Sequence, residues 1–263
     1  FRTDLESLFL QSMEASVKHH IENGIGTLSF GNTAGNSLPK KVMGELVKTL
    51  NILGESKEVR VIVIQSAGDK AFCGGASLTE MNQLDTLTSA KAFFMGIADV
   101  LNTLRRLEKF VVLRVQGKVV GGGLGLVAAS DYVIAHQSAS VKLSELSIGI
   151  GPYVIEPALS RKMGSAAFAQ LSLEAHQWKS ADWAHQKGLY HQIVDNIPTL
   201  DQKVEEMANR LASYTPQACK TLRKLHWKDT DHWDELLEKN AEITGTLALQ
   251  KETQDFLKTL FLK

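Results

Sequence analysis

The stretch Val115-Gln116-Gly117-Lys118-Val119-Val120-Gly121-Gly122-Gly123-Leu124-Gly125-Leu126 constrains the fold of this chain more than any other. Just before it, Phe110-Val111-Val112-Leu113-Arg114-Val115 is short, apolar and rich in β-branched residues, which predicts a buried strand. After it, Leu124, Leu126, Val127, Ala128 and Ala129 suit a helix and no proline interrupts them. Three consecutive glycines between a strand and a helix are costly, because glycine loses the most backbone freedom on folding. A chain keeps such a turn where its backbone must approach another group closely. The first N–H groups of a helix also lack intrahelical partners and sit at the positive end of its dipole. Two readings of the turn therefore stand: tight packing, or the holding of a phosphate or an oxyanion.

Other segments extend the strand–helix alternation. Around Glu22-Asn23-Gly24, segments 17–20 and 26–30 predict a hairpin, since Asn-Gly is a strong turn signal. Ser37 is expected to cap a helix that has Pro39 near its first turn. Val42, Leu46, Leu50 and Leu53 line one face of that helix, and Gly54 ends it. Val61, Ile62, Val63 and Ile64 form an unbroken apolar run, as in a central strand covered on both faces. Residues 88–107 predict a long amphipathic helix, 131–135 a strand and 141–143 a short extended piece. From Ile155 onward the pattern reads as helices alone. Strands and helices followed by helices predict an α/β core over 13–195 and a helical region over 196–263. Residues 1–12 are set aside, because Phe9-Leu10-Gln11-Ser12-Met13 looks like the end of a cleavable tag and Met13 like a native start.

At 263 residues, 44% hydrophobic and 22% charged, the composition is that of an ordinary globular chain. Twenty-nine basic residues balance twenty-nine acidic ones, which argues against a broad nucleic-acid surface, RNA included. No apolar run is long enough to span a bilayer. Cys73 and Cys219 offer neither metal-ligand spacing nor a disulfide framework, so a cytoplasmic location is expected. The eight histidines show no ligand spacing, His19-His20 fitting a strand surface better than a metal site.

A second glycine-bearing loop, Ala71-Phe72-Cys73-Gly74-Gly75-Ala76-Ser77-Leu78, follows the strand near 61–66. Two such turns invite a dinucleotide-binding reading, but Gly121-Gly122-Gly123-Leu124-Gly125-Leu126 has no glycine at its sixth position and lies mid-chain. Pairing the turns is a better account. N–H groups from Ala76 and Gly122 could together stabilise a thioester oxygen that gains charge as its α-carbon loses a proton, each donor contributing about 10²–10³ in rate. Taken alone Glu145, in a loop between apolar segments, reads as a surface acid; beside the two turns it is the proton-handling group, its pKa raised by desolvation. Cys73 reads as a small buried residue rather than a nucleophile.

These pieces resemble, in order, the motifs of the crotonase (enoyl-CoA hydratase/isomerase) superfamily. The first loop is similar to its AFCAGADL, Gln116–Gly123 to NGxAxGGG, residues 129–135 to A-x-D-x-x-I-A, residues 144–152 to PExxxGxxP, and residues 180–189 to A-x-E-A-x-x-x-G-L. The resemblance implies an α/β spiral of repeated ββα units with a C-terminal helical region used for trimerisation. It implies an acyl-CoA thioester substrate and no cofactor beyond the coenzyme A of that substrate; the spacing, charge and hydropathy above predict no metal, no nucleic acid and no membrane. The subunits would form a homotrimer or a dimer of trimers. By the same resemblance Ala76 and Gly122 supply the oxyanion donors and Glu145 the acid–base group, while Gly74, Gly75, Leu78, Gly121, Gly123 and Gly125 line the substrate; Tyr153 either lines the pocket or packs as core.

The chain departs from the pattern in two places. Family hydratases carry a second glutamate two residues after the glycine triplet, where this sequence has Gly125. Hydration benefits from two carboxylates on the water, whereas one suffices to move a proton along a dienolate. An isomerase is therefore favoured. Enoyl-CoA or methylglutaconyl-CoA hydratase, decarboxylase, thioester hydrolase and a non-catalytic acyl-CoA-binding module remain as alternatives. Second, Tyr153-Val154-Ile155-Glu156 stands where the family has glycines. Glu156 is either a replacement carboxylate or a first-turn acid of the next helix. Trp178, Trp183, Trp227 and Trp233 read as packing or subunit contacts, and Phe256 and Lys258 align only loosely with a CoA-contacting helix.

Overall fold

The computed structural model describes residues 15–261, so the expected tag and the start at Met13 lie outside the described residues. Strands β1 (Ser16–Glu22) and β2 (Ile25–Gly31) form the predicted hairpin. Asn23 at φ 50° and Gly24 at φ 80° turn it, both left-handed as a tight hairpin turn requires. Strands β3 (Val61–Ser66), β5 (Val111–Val115), β7 (Tyr132–His136) and β9 (Gln192–Val194) add in parallel, giving a six-stranded sheet of order β1-β2-β3-β5-β7-β9. A second sheet, β4-β6-β8, holds β4 (Ala71–Cys73), β6 (Lys118–Val120) and β8 (Val141–Lys142), all parallel.

The helices are α1 (Lys40–Glu55), α2 (Leu78–Met81), α3 (Leu87–Arg106), α4 (Gly122–Ala129), α5 (Glu156–Met163), α6 (Ser165–Leu173), α7 (Ala181–Gln186), α8 (Ile197–Ser213), α9 (Pro216–His226), α10 (Trp233–Ala248) and α11 (Lys251–Phe261). Three times the chain runs from a main-sheet strand to a short strand of the second sheet and then into helix: β3-β4-α2, β5-β6-α4 and β7-β8 followed by a 3₁₀ turn over Glu145–Ile148. Alternation along β3 divides the interior. Ile62 and Ile64 join the core with α1, α3, α4 and α10, while Val61 and Val63 face a second cluster formed with Leu200, Val204 and Ala208 of α8. The central strands β3 and β5 are therefore buried on both faces, which is why they are almost continuously apolar.

Three expectations differ. Ser37 does not cap α1: Pro39 stands at the N-cap with no side-chain bond, and Ser37 is buried instead. The long helix is opened by Thr86, whose hydroxyl accepts from Ser89 N while Ser89 Oγ takes the Thr86 N–H. And the chain beyond Ile155 is not helical throughout, because β9 completes the sheet against β7. Its three residues are too few for an alternating pattern; edge pairing with Ile134–His136 makes them a strand.

Candidate active site

The register of the second sheet assembles the site. Cys73 pairs with Val119 and Val119 with Val141, so the chain leaves β4, β6 and β8 at one end of the sheet. Ala76 comes just after β4, Gly122 just after β6 and Glu145 just after β8. Three residues remote in sequence meet because three strands stop together.

Ala76 is held by an isolated parallel bridge to Leu38, closed by Leu38 N–H donating to Gly75 O at 2.8 Å. The alternative register would need an N–H at residue 39, which is proline. The bridge therefore leaves the Ala76 N–H unused. Gly122 is the first residue of α4, where an N–H has no partner within the helix. On either side of it, Gly121 N–H is taken by Lys142 O at 3.0 Å and Leu124 N–H by Gly121 O at 2.8 Å. A methyl group added at Gly122 would lie 3.9 Å from Ala76 N, so the two uncommitted amides are close neighbours.

The predicted glycines are there because backbone passes backbone. Gly75, at φ 87°, would place a Cβ 3.0 Å from Val120 O, and Gly74 would place one 3.2 Å from Gly35 O. Gly123 packs on Cys73, whose Cβ would lie 2.7 Å from an added methyl. Gly121, at φ 51°, abuts Glu145: a Cβ there would sit 2.9 Å from Oε1. The glycine turn thus packs tightly and still leaves the Gly122 amide without a partner inside its helix. Behind the first loop, Asn36 Nδ2 donates to Ala67 O and Ala71 O, and Gln116 Nε2 donates to Ser66 Oγ and Ala71 O.

Glu145 opens the 3₁₀ turn, which ends at Gly149 with φ 84°. Thr253 of α11 presses on this turn and donates its hydroxyl to Gly149 O, so the C-terminal helix buttresses the loop. As a residue Glu145 is half-buried, but its Oε2 is closed off from solvent and has no hydrogen-bond partner among the described residues. Burial pushes its pKa from 4.5 up to about 7, against a smaller downward pull from the N–H groups of Glu145 and Ser144.

Gly125, where the resemblance would have a second acid, is buried against hydrophobic side chains. An added Cβ would lie 2.8 Å from Ile155 Cγ2 and 3.4 Å from Leu101 Cδ2. Glu156 is a first-turn acid of α5, and its Oε1 accepts from Ser160 Oγ at 2.6 Å. Tyr153 is 40% exposed, lies over Gly151 and accepts from Asn240 Nδ2 through its carbonyl. Leu78 is 39% exposed at the start of α2.

A cavity of about 20 Å³ opens beside the two amides, lined by Ala76, Gly122, Leu38, Met43, Phe93, Phe94 and Ile97. Sequence reasoning placed Met43 and the α3 residues among the core or passed over them. The one available signal was Gly96, a costly glycine inside a helix.

Other candidates fall elsewhere. Burial pushes the Cys73 thiol up to about 12, which leaves no thiolate for a nucleophile. His19 and His20 are exposed on β1. Among the described residues no group of three or more His, Cys, Asp or Glu could hold a metal ion, and no helix is long and apolar enough to cross a membrane. Trp227 and Trp233 pack edge to face, Trp178 is 44% exposed beneath Lys118 and Lys142, and Trp183 packs partly buried on the core. Phe256 is 40% exposed, and Lys258 lies 3.8 Å from Asp255.

Comparison with known proteins gives this geometry its context. The profile described as enoyl-CoA hydratase/isomerase matches residues 20–258. A short-chain-enoyl-CoA hydratase of Clostridium acetobutylicum is 30% identical over 186 residues, covering 70% of each chain. A trans-2-decenoyl-[acyl-carrier-protein] isomerase of Streptococcus mutans is 23% identical over 247 residues, 91% of each. The crystal structure of an enoyl-CoA hydratase from Bacillus halodurans superposes with a TM-score of 0.86 at 20% identity, covering 92% of this chain and 99% of that one. The match over residues 20–258, carried on the same fold, shows that this chain belongs to the enoyl-CoA hydratase/isomerase family.

Proposed function

We propose that this protein is an acyl-CoA enzyme that moves a double bond by proton transfer, an isomerase-type member of its family. The thioester oxygen of a 3-enoyl-CoA accepts from the Ala76 and Gly122 N–H groups. Glu145, as carboxylate, takes a proton from C2, and the electron pair spreads over the dienolate onto that oxygen. The same carboxyl then gives the proton back at C4, leaving the 2-enoyl thioester. Protons and electrons balance within the substrate, so coenzyme A enters only as part of the thioester and no separate cofactor is required. Gly74, Gly75, Gly121 and Gly123 let the backbone come close enough to hold the thioester.

The observation that carries this reading is the filling of the Gly125 site by Ile155. It leaves one loop carboxyl next to Gly121, with its Oε2 closed off and unpartnered among the described residues, and hydration gains from two. A second reading, hydration of a 2-enoyl-CoA, is favoured by the 30% identity to a short-chain-enoyl-CoA hydratase. Spectrophotometry with 3-enoyl-CoA and 2-enoyl-CoA separates the two. Isomerisation is expected to be fast and hydration slow; brisk hydration by the unaltered protein would reverse the assignment. Glu145→Gln is expected to lower turnover by about 10²–10⁴ while CoA-ester binding persists. Unchanged turnover removes Glu145 from the role.

Assembly as a homotrimer or a dimer of trimers completes the proposal. Leu222 and Leu225 on α9 and Phe256 and Leu260 on α11 remain substantially exposed, apolar surface suited to subunit contacts. Balanced charge supports a partner set without nucleic acid, and the free buried thiols Cys73 and Cys219 support a reducing, cytoplasmic location.

A further inference from the structure

The cavity beside the two amides has an unusual wall. Met43, on α1, lies lengthwise across Gly96, on α3: a methyl added at Gly96 would stand 2.6 Å from Met43 Cε, 3.0 Å from Sδ and 3.5 Å from Cβ. A mid-helix glycine is disfavoured relative to alanine, so this position is worthwhile only if the space is used. Met43 uses it. Its side chain thus packs on the α3 backbone and also lines the void beside Ala76 and Gly122.

The remaining walls are Leu38, Phe93, Phe94 and Ile97, all less than 10% exposed, with the two phenyl rings locked edge to face at 5.1 Å. Those walls carry no charged side chain and no side-chain hydrogen-bond donor or acceptor. A carboxylate or an ammonium on the acyl chain would be desolvated there without a partner, which strongly disfavours it. A hydrocarbon chain meets no such penalty. Methionine is also the side chain best able to move as a wall, being unbranched and flexible.

We infer that Met43, seated on Gly96, is the residue that sets how long an uncharged acyl chain this cavity accepts, and that it favours short ones. The inference rests on the proposed reading of Ala76 and Gly122 as oxyanion donors, because both residues line the same cavity.

The test compares kcat/KM for unbranched C4, C8 and C12 3-enoyl-CoA thioesters, and for a carboxylated acyl-CoA, in the unaltered protein and in Met43→Ala and Gly96→Ala. The unaltered protein is expected to prefer C4 and to leave the carboxylated thioester unturned. Met43→Ala is expected to raise the C8 to C4 ratio by about tenfold or more, the value of one or two methylenes in an apolar pocket. Gly96→Ala, which pushes Met43 toward the amides, is expected to lower that ratio. Ratios within about twofold of the unaltered protein in both variants would overturn the inference, as would a C12 preference at the outset. Should Met43→Ala fold poorly, Met43→Val is read in the same way. Should no thioester turn over at all, the proton-transfer reading falls alone. Calorimetric Kd values for saturated C4, C8 and C12 acyl-CoA across the same variants then decide whether Met43 sets the length.

Discussion

A single carboxyl decides how this protein responds to pH. Glu145 titrates near 7 because its Oε2 is shut away from water without a partner. The proposed reaction begins with the carboxylate, so kcat/KM should rise with pH through about 7 and level off above it. A profile whose rising limb lies near 4.5 would mean that the carboxyl is solvated. Stability should move the opposite way. The folded pKa lies above the unfolded 4.5, so folding favours the protonated form. That contribution is complete below about pH 4.5 and is lost as pH rises through about 7. Glu145→Gln lacks the titration. Relative to the unaltered protein it should therefore gain stability between pH 5 and pH 8, on the order of 2 kcal/mol in urea unfolding. An equal difference between the two proteins at both pH values would contradict the burial of the ionised form.

Among the elements, the glycine-to-side-chain contacts matter more than the helices themselves. Ile155, at the foot of α5, fills the place above Gly125, so Gly125→Glu should be destabilising by roughly 1–3 kcal/mol without conferring hydration. Paired with Ile155→Ala the new carboxyl has room, and hydration of 2-enoyl-CoA should appear; hydration by the single variant would show that Ile155 is no barrier. Gly125 was legible in the sequence as a missing acid, but Ile155 was not, since nothing local says which distant side chain fills a glycine. The same divide runs through the fold. The Asn23-Gly24 hairpin, the apolar runs of β3 and β5 and the amphipathic α3 were legible because turn chemistry and period are local. Strands β4, β6 and β9, of three residues each, carry no period and exist only through their partners. Ala76, Gly122 and Glu145 were legible only as a constellation, and it is the register Cys73↔Val119↔Val141 that makes them neighbours.

At the scale of the molecule, the helices that follow the sheet are tied back to it by one buried cation. Arg223 of α9 is 1% exposed. Its Nε donates to Asp131 at 2.8 Å, and its terminal nitrogens donate to the carbonyls of Leu104, Arg105 and Leu107 at the end of α3. The last carbonyls of a helix lack intrahelical partners and carry partial negative charge, so a guanidinium satisfies their hydrogen bonding and their dipole together. Asp131 in turn accepts from Val111 N at the head of β5 and from Trp227 Nε1. One fork thus joins α3, α9 and the two strands whose extensions carry Gly122 and Glu145. Arg223→Ala leaves Asp131 ionised, buried and short of its partner, a change that typically costs about 3–5 kcal/mol. Arg223→Lys should recover little of this, because one ammonium cannot span the fork. Arg223→Met with Asp131→Asn should recover more, by removing both charges. Urea unfolding of the three variants checks that order, and turnover per folded molecule should stay near the unaltered value, since Arg223 lines neither the amides nor the cavity. If Arg223→Lys proves as stable as the unaltered protein, charge alone holds α9 in place and the fork geometry is dispensable.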